Sequence, residues 1–144
     1  MDTLKTLSMM GCSLLFGSGI PEREVPSVIR NSFATEFPEA VAPAWEREQE
    51  GFEVEFSLDR AEYSALFNKK GKMVMLKKEV GVTSLPPPVL EKIQTEYSHY
   101  SIGDITIIEK DGNAYFQVAL EGKFTEKKEV FTHDGHRAGD KYWD

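Results

Sequence analysis

The stretch VPSVIRNSFATEFP, residues 25–38, decides the fold because it recurs as LPPPVLEKIQTEYS at residues 85–98. Val25-Pro26, Phe33, Thr35-Glu36 and Phe37 fall on Leu85-Pro86, Ile93, Thr95-Glu96 and Tyr97 at a constant offset of 60, which also carries Trp45 onto Ile105. Further on, Phe52, Val54 and Phe56 fall on Phe116, Val118 and Leu120, and Phe67 and Gly71 on Phe131 and Gly135, now at an offset of 64. The second copy therefore holds four more residues between Ile105 and Phe116, where a longer hairpin would place them. The matched positions are mostly apolar and aromatic, as expected of two copies of one structural unit.

Each copy reads the same way. Val28, Ile29, Phe33 and Phe37 form a stripe on one face of a helix. Pro26 sits early, where a missing N–H is harmless, and Pro38 stops the helix. In the second copy Thr83 or Ser84 is the expected cap, Pro86 to Pro88 fill the first turn, and Val89, Leu90, Ile93 and Tyr97 repeat the stripe. The segments 52–56 (FEVEF) and 116–120 (FQVAL) alternate, so one face of each strand is buried and the other wet. Turns are expected at Glu50-Gly51, Leu58-Asp59, Lys70-Gly71, Asp111-Gly112 and Asp134-Gly135. The unit is one helix followed by about four antiparallel strands. Two units predict an α+β fold, a sheet of about eight strands with both helices on one face. Repeat one spans 25–80 and repeat two 85–144, within a tandem domain at 20–144. The expected core is Phe33, Phe37, Trp45, Phe52, Val54, Phe56 and Phe67, with Ile93, Tyr97, Phe116, Val118, Leu120 and Phe131; Tyr63 is in phase with it.

Composition narrows the function. A chain of 144 residues suffices for one ordinary domain or two small units. A net charge of -7 and a pI near 5.0 argue against general binding to nucleic acid or anionic lipid. One cysteine leaves no internal disulfide and no cysteine-based zinc site. No Gly-x-Ser-x-Gly elbow or phosphate loop occurs, so no catalytic residue, metal ligand or cofactor is assigned. Thr132-His133-Asp134-Gly135-His136 is the one segment that looks metal-like. Its counterpart in the first copy is Asn68-Lys69-Lys70-Gly71-Lys72, so a hairpin turn explains it; the alternative is a metal-dependent envelope enzyme, or a small-ligand or metal carrier, using His133 to His136. Lys69, Lys70, Lys72, Lys77 and Lys78 read as lysines that blunt an exposed strand edge.

The N-terminus carries an address. Lys5 precedes an uncharged run from Thr6 to Ile20, too short for a permanent membrane span. It fits the apolar core of a signal peptide over 1–19, with Gly17 and Gly19 before the cut. A rival reading makes Met9-Met10-Gly11-Cys12 a lipoprotein box, with the signal ending at Gly11 and a lipid anchor on Cys12.

The sequence also resembles a family. Val25-Pro26, Phe33, Phe37-Pro38, Ala40, Trp45, the 52–56 strand and Phe67 through Gly71-Lys72 resemble the PepSY-like, β-lactamase-inhibitor-like proteins of the Bacteroidetes envelope. The second copy is a looser match, with Ile105 in place of the tryptophan, Ser98-His99 in place of Pro38-Glu39, and a poor last strand at Arg137-Ala-Gly139. The resemblance implies a tandem α+β domain in the periplasm or outside the cell. It implies a non-enzymatic protein that binds, inhibits or docks to an envelope protein of unidentified nature. The strand phase leaves a sheet face carrying Glu53, Glu55, Tyr115 and Gln117 with no element assigned to cover it, and these four are the expected protein-binding residues.

Overall fold

The computed structural model describes residues 19–139 and Trp143. Among these residues eight strands and two α-helices follow one another, so the class is α+β. Contacts divide the chain into two units at Lys78/Glu79, close to the repeat boundary read from the sequence.

The first unit holds strand β1 (Gly19–Ile20), helix α1 (Ser27–Glu36) and strands β2 (Val41–Glu48), β3 (Gly51–Leu58), β4 (Ala61–Asn68) and β5 (Met73–Val80), the last two residues of which fall past the boundary. The strands pair antiparallel in chain order. The cut after Gly19 would fall inside β1, whose residues pair with Glu46 and Trp45; the rest of the signal region, with Cys12, lies outside the described residues. The second unit holds helix α2 (Pro87–Glu96) and strands β6 (Ser101–Lys110), β7 (Asn113–Glu121) and β8 (Glu126–Thr132), again antiparallel. The first helix is followed by four strands, as expected, with β1 ahead of it; the second helix is followed by three among the described residues, so the expected fourth strand of the second copy is corrected. Arg137 makes only an isolated bridge with Phe131, and Ala138 donates its N–H to the Val130 carbonyl, so the last stretch does not extend into a strand.

The four extra residues of the second copy lengthen its hairpin. Glu48 pairs with Gly51 next to the first hairpin turn, whereas two further pairs, Glu109–Ala114 and Lys110–Asn113, precede the second. Asp59-Arg60 and Asp111-Gly112 both have positive φ (50°, 66° and 53°, 78°), the backbone of a tight turn whose twist suits the flanking strands.

In each unit one sheet face packs on the helix. Val25, Ile29, Phe33, Trp45, Phe52, Val54, Phe56, Ala65 and Phe67 form the first core. The Phe33 ring lies 5.3 Å from Trp45 and 5.1 Å from Phe56, both edge-on. Such pairs add about 0.5–1.5 kcal/mol beyond their area burial. Leu85, Val89, Ile93, Tyr97, Ile105, Phe116, Val118, Leu120 and Phe131 form the second core. Three expectations need correction. Phe37 is only half-buried, because it sits at the helix end against Phe56 at 4.7 Å. Val28 is exposed, one position round the helix from Ile29. Thr83 and Ser84 lie in a 3-10 turn, and Pro86 takes the cap position without any side-chain bond. The second helix ends as the first does, with the Tyr97 N–H on the Ile93 carbonyl, although no proline follows Tyr97.

One equivalence ties hairpin to helix in both copies. Gly71 (φ 89°) lies against Val28 and Ser32, and Gly135 (φ 90°) against the Pro88 carbonyl. A side chain at either position would meet strain and crowding together.

Candidate functional site

The face of the first unit turned away from α1 is built by strand alternation. Phe52, Val54 and Phe56 point to the helix, so Glu53 and Glu55 point away, as the spacing requires. Register brings Glu46 of β2 opposite Glu53, Ser64 of β4 opposite Glu55, Glu62 opposite Ser57, and Lys77 of β5 opposite Ser64. The result is a polar layer. The Ser64 hydroxyl donates to Glu53 Oε2 at 2.6 Å, Lys77 Nζ lies 3.7 Å from the same oxygen, and the Ser57 hydroxyl donates to Glu62 Oε2 at 2.8 Å. Lys77 is 7% exposed. It belongs to this layer and is not the solvated edge lysine expected from the sequence. Lys78, on the opposite face, lies over the Tyr63 ring.

Negative charge outnumbers positive here. Glu46 Oε2 and Glu55 Oε1 are buried without a hydrogen-bond partner. One carboxylate oxygen each from Glu46, Glu48 and Glu53 lies within 4.8 Å of the others. Burial, then the charges of Glu53 and Glu46, push the Glu55 carboxyl up from 4.5 to about 7, against the opposing pull of Lys77. Glu48 is raised by the same causes. Groups so arranged can accept a proton, a cationic side chain or a metal cation.

A pH dependence follows. Folded Glu55 binds its proton more tightly than the unfolded chain does, so stability is greatest below about pH 4.5 for this group and falls as pH rises to about 7. Glu55→Gln should flatten that slope and stabilise the protein at pH 8 by on the order of 1 kcal/mol, a figure discounted for the group's partial exposure. Denaturant midpoints at pH 5 and pH 8 check this; an unchanged slope in the variant would assign the pH dependence elsewhere.

In the second unit the equivalent face is different. Tyr115 and Gln117 point away from α2 as expected, but Gln117 is 4% exposed. Its side chain bonds the main chain of Trp143, whose ring lies 5.3 Å from Tyr115. The expectation of an uncovered face here is therefore corrected. No spacing rule links Trp143 to a strand 26 residues earlier, so only the structure brings it here. Glu53 and Glu55 lie together in the first unit, Tyr115 and Gln117 in the second.

The segment from Thr132 to His136 is a turn. Asp134 accepts from the Thr132 hydroxyl and lies 3.1 Å from His136 Nδ1, and these bonds hold its carboxyl down at about 2. The Gly135 N–H reaches the Thr132 carbonyl, the same bond that Gly71 makes to Asn68. The three-carboxylate group among the described residues, Glu46, Glu48 and Glu53, includes neither His133 nor His136. Arg137 acts as a clamp, donating from Nη1 to the Tyr97 hydroxyl at 3.0 Å and lying 3.9 Å from Glu129. Phe124, at the β7–β8 loop, is 89% exposed and was not singled out from the sequence.

With this geometry in place, comparison with known proteins is informative. The family model described as "Putative beta-lactamase-inhibitor-like, PepSY-like" matches residues 17–73 and again residues 60–132. The chain belongs to this family. The two matched segments overlap at residues 60–73; the first contains α1 and the second contains α2, as expected of two copies. Solved structures share the fold at low identity. A BLIP-like protein from Bacteroides fragilis matches with a TM-score of 0.71 and 20% identity over 86% of this chain and 94% of that one. A DUF2874 family protein from Bacteroides uniformis matches with a TM-score of 0.74 and 18% identity over 79% and 86%. A protein from Bacteroides eggerthii described as "putative periplasmic" matches with a TM-score of 0.74 and 14% identity over 79% and 86%. No curated protein sequence matches the chain. No helix among the described residues is long and apolar enough to cross a membrane.

Proposed function

We propose that this PepSY-like protein is a non-enzymatic binding module of the cell envelope, an inhibitor of or docking factor for another protein, and that it engages its partner through the acidic sheet face of the first unit. The observation that carries the reading is the pair of buried, unpartnered carboxylate oxygens on Glu46 and Glu55 within a layer of five glutamates, Glu46, Glu48, Glu53, Glu55 and Glu62. Buried polar atoms in native proteins are nearly always bonded, so exceptions call for an explanation. Lys or Arg side chains from a partner, docking on the exposed part of this half-buried layer, would supply the missing charge. Glu53 and Glu55 stand at the centre of this surface. An antiparallel sheet can leave such a face in water; membership of the inhibitor-like family raises the case for a partner. The apolar run of the first 19 residues supports export to the periplasm, with lipidation of Cys12 as the anchored variant of the same address.

The test is affinity capture from envelope extract with wild type, Glu55→Lys and Tyr115→Ala. Glu55→Lys is expected to lose the captured protein while remaining folded by circular dichroism, and capture by wild type should weaken with rising salt. Capture that survives Glu55→Lys but is abolished by changes in the Lys69 to Lys72 turn would move recognition to the hairpin. A catalytic activity or bound metal lost in His133→Ala or His136→Ala would replace the binding reading with the enzyme or carrier one.

A further inference from the structure

The face of β6, β7 and β8 turned away from α2 already holds Trp143. Gln117 sits mid-sheet, opposite Thr106 on one side and Val130 on the other. The Trp143 N–H donates to Gln117 Oε1 at 2.8 Å, and Gln117 Nε2 donates to the Trp143 carbonyl at 2.8 Å. A side-chain amide thus makes the two bonds that a neighbouring β-strand residue would make. Both bonds go to main chain, so they read a backbone and not a side chain. The aromatic contact supplies the selectivity: the Tyr115 and Trp143 rings lie 5.3 Å apart, tilted by 40°. Around them the sheet is closed to water. Thr106 is 7% exposed, and Ile108 and Val130, whose side chains lie on this same face, are wholly buried.

A buried side-chain amide must have both its ends bonded. Here a buried amide has both ends committed to one residue's backbone, which is how a protein holds a peptide in register. We propose that Tyr115 and Gln117 form a peptide-recognition site for an extended segment bearing an aromatic residue, and that Trp143 is its resident occupant in cis. Occupancy in cis is favoured by tethering, because a linked segment meets its site at an effective concentration in the millimolar range or below. The same sequence offered in trans should bind once the resident ring is removed. This inference stands on the second unit alone and does not depend on the acidic face of the first.

The experiment uses the full chain and a labelled peptide of residues 138–144, AGDKYWD. Intact protein and Trp143→Ala are titrated with it by fluorescence anisotropy. Trp143→Ala is expected to bind the peptide about tenfold more tightly than the intact chain, as loss of one aromatic pair from the competitor implies. Adding Gln117→Leu to Trp143→Ala should abolish binding, and a peptide with alanine in place of its tryptophan should not bind either variant. Equal binding by the intact chain and Trp143→Ala, or binding by neither, overturns the proposal. Amide exchange in the intact protein is read alongside, so that the answer does not rest on the variants alone. The Trp143 N–H should be protected; exchange at the rate of an unstructured peptide overturns occupancy in cis.

Discussion

Phe67→Ala is expected to cost about 3–5 kcal/mol of stability, the usual range for deleting a buried phenylalanine ring. Phe67 is wholly buried in the middle of the first unit. It lies on β4 directly opposite Phe52 and faces Phe33 edge-on at 6.4 Å. Its neighbours come from a helix and two strands whose backbones are fixed by their own hydrogen bonds, so the space left by the ring cannot close. Phe131→Ala should cost as much, because Phe131 is the counterpart at an offset of 64 and is also wholly buried. Phe37→Ala should cost less, since Phe37 is only half-buried. Denaturant titration of the three variants checks the ranking. A loss below about 1 kcal/mol for Phe67→Ala would mean that the core can rearrange around the gap.

Gly51→Ala is expected to be as damaging, although it adds only a methyl group. A Cβ at Gly51 would stand 1.9 Å from the Phe67 carbonyl oxygen and 2.9 Å from the Asn68 Cα. Both obstacles are backbone atoms of β4, and Gly51 pairs with Asn68 at the end of the β3–β4 ladder. No side chain can turn aside to make room; the strands must part. The expected loss is about 3 kcal/mol or more, at or above the upper end of overpacking costs. Gly81→Ala is the control. No atom lies within 4 Å of its would-be Cβ, so its effect should stay within about 0.5 kcal/mol. Equal melting temperatures for the two variants would show that β3 and β4 can separate at Gly51 without loss.

Much of this fold was legible before any coordinates. Period-two alternation at 52–56 and 116–120 placed Phe52, Val54, Phe56, Phe116, Val118 and Leu120 in the two cores, where they lie. Strand phase is a local property: a residue's face follows from its neighbours' polarity. The repeat was legible for a related reason, since the same packing constrains the same positions in both copies. The hairpin glycines Gly71 and Gly135 were matched as turn residues, and both turn against the first turn of their helix. The candidate site was legible in outline only. Glu53 and Glu55 were placed on the correct face, but as a solvated one. That Glu55 is half-buried beside Glu46 and Glu53, with its carboxyl raised to about 7, depends on which strands flank β3 and on what they carry opposite it.

By itself, then, the order of residues determined the α+β class, the two copies, the faces of the central strands and the family, because each of these rests on spacing within a few turns of helix or one hairpin. Tertiary structure alone decided three things. It turned Lys77 from an edge lysine into the counter-charge of an acidic layer, since Ser64 and Glu53 reach it only across a sheet. It made Arg137 a clamp on Tyr97 and Glu129 instead of part of a last strand. And it folded Trp143 back onto Gln117 and Tyr115, filling a face that the strand pattern left open. In each case the partners are far apart in sequence and meet through side chains, and such meetings leave no periodicity to read.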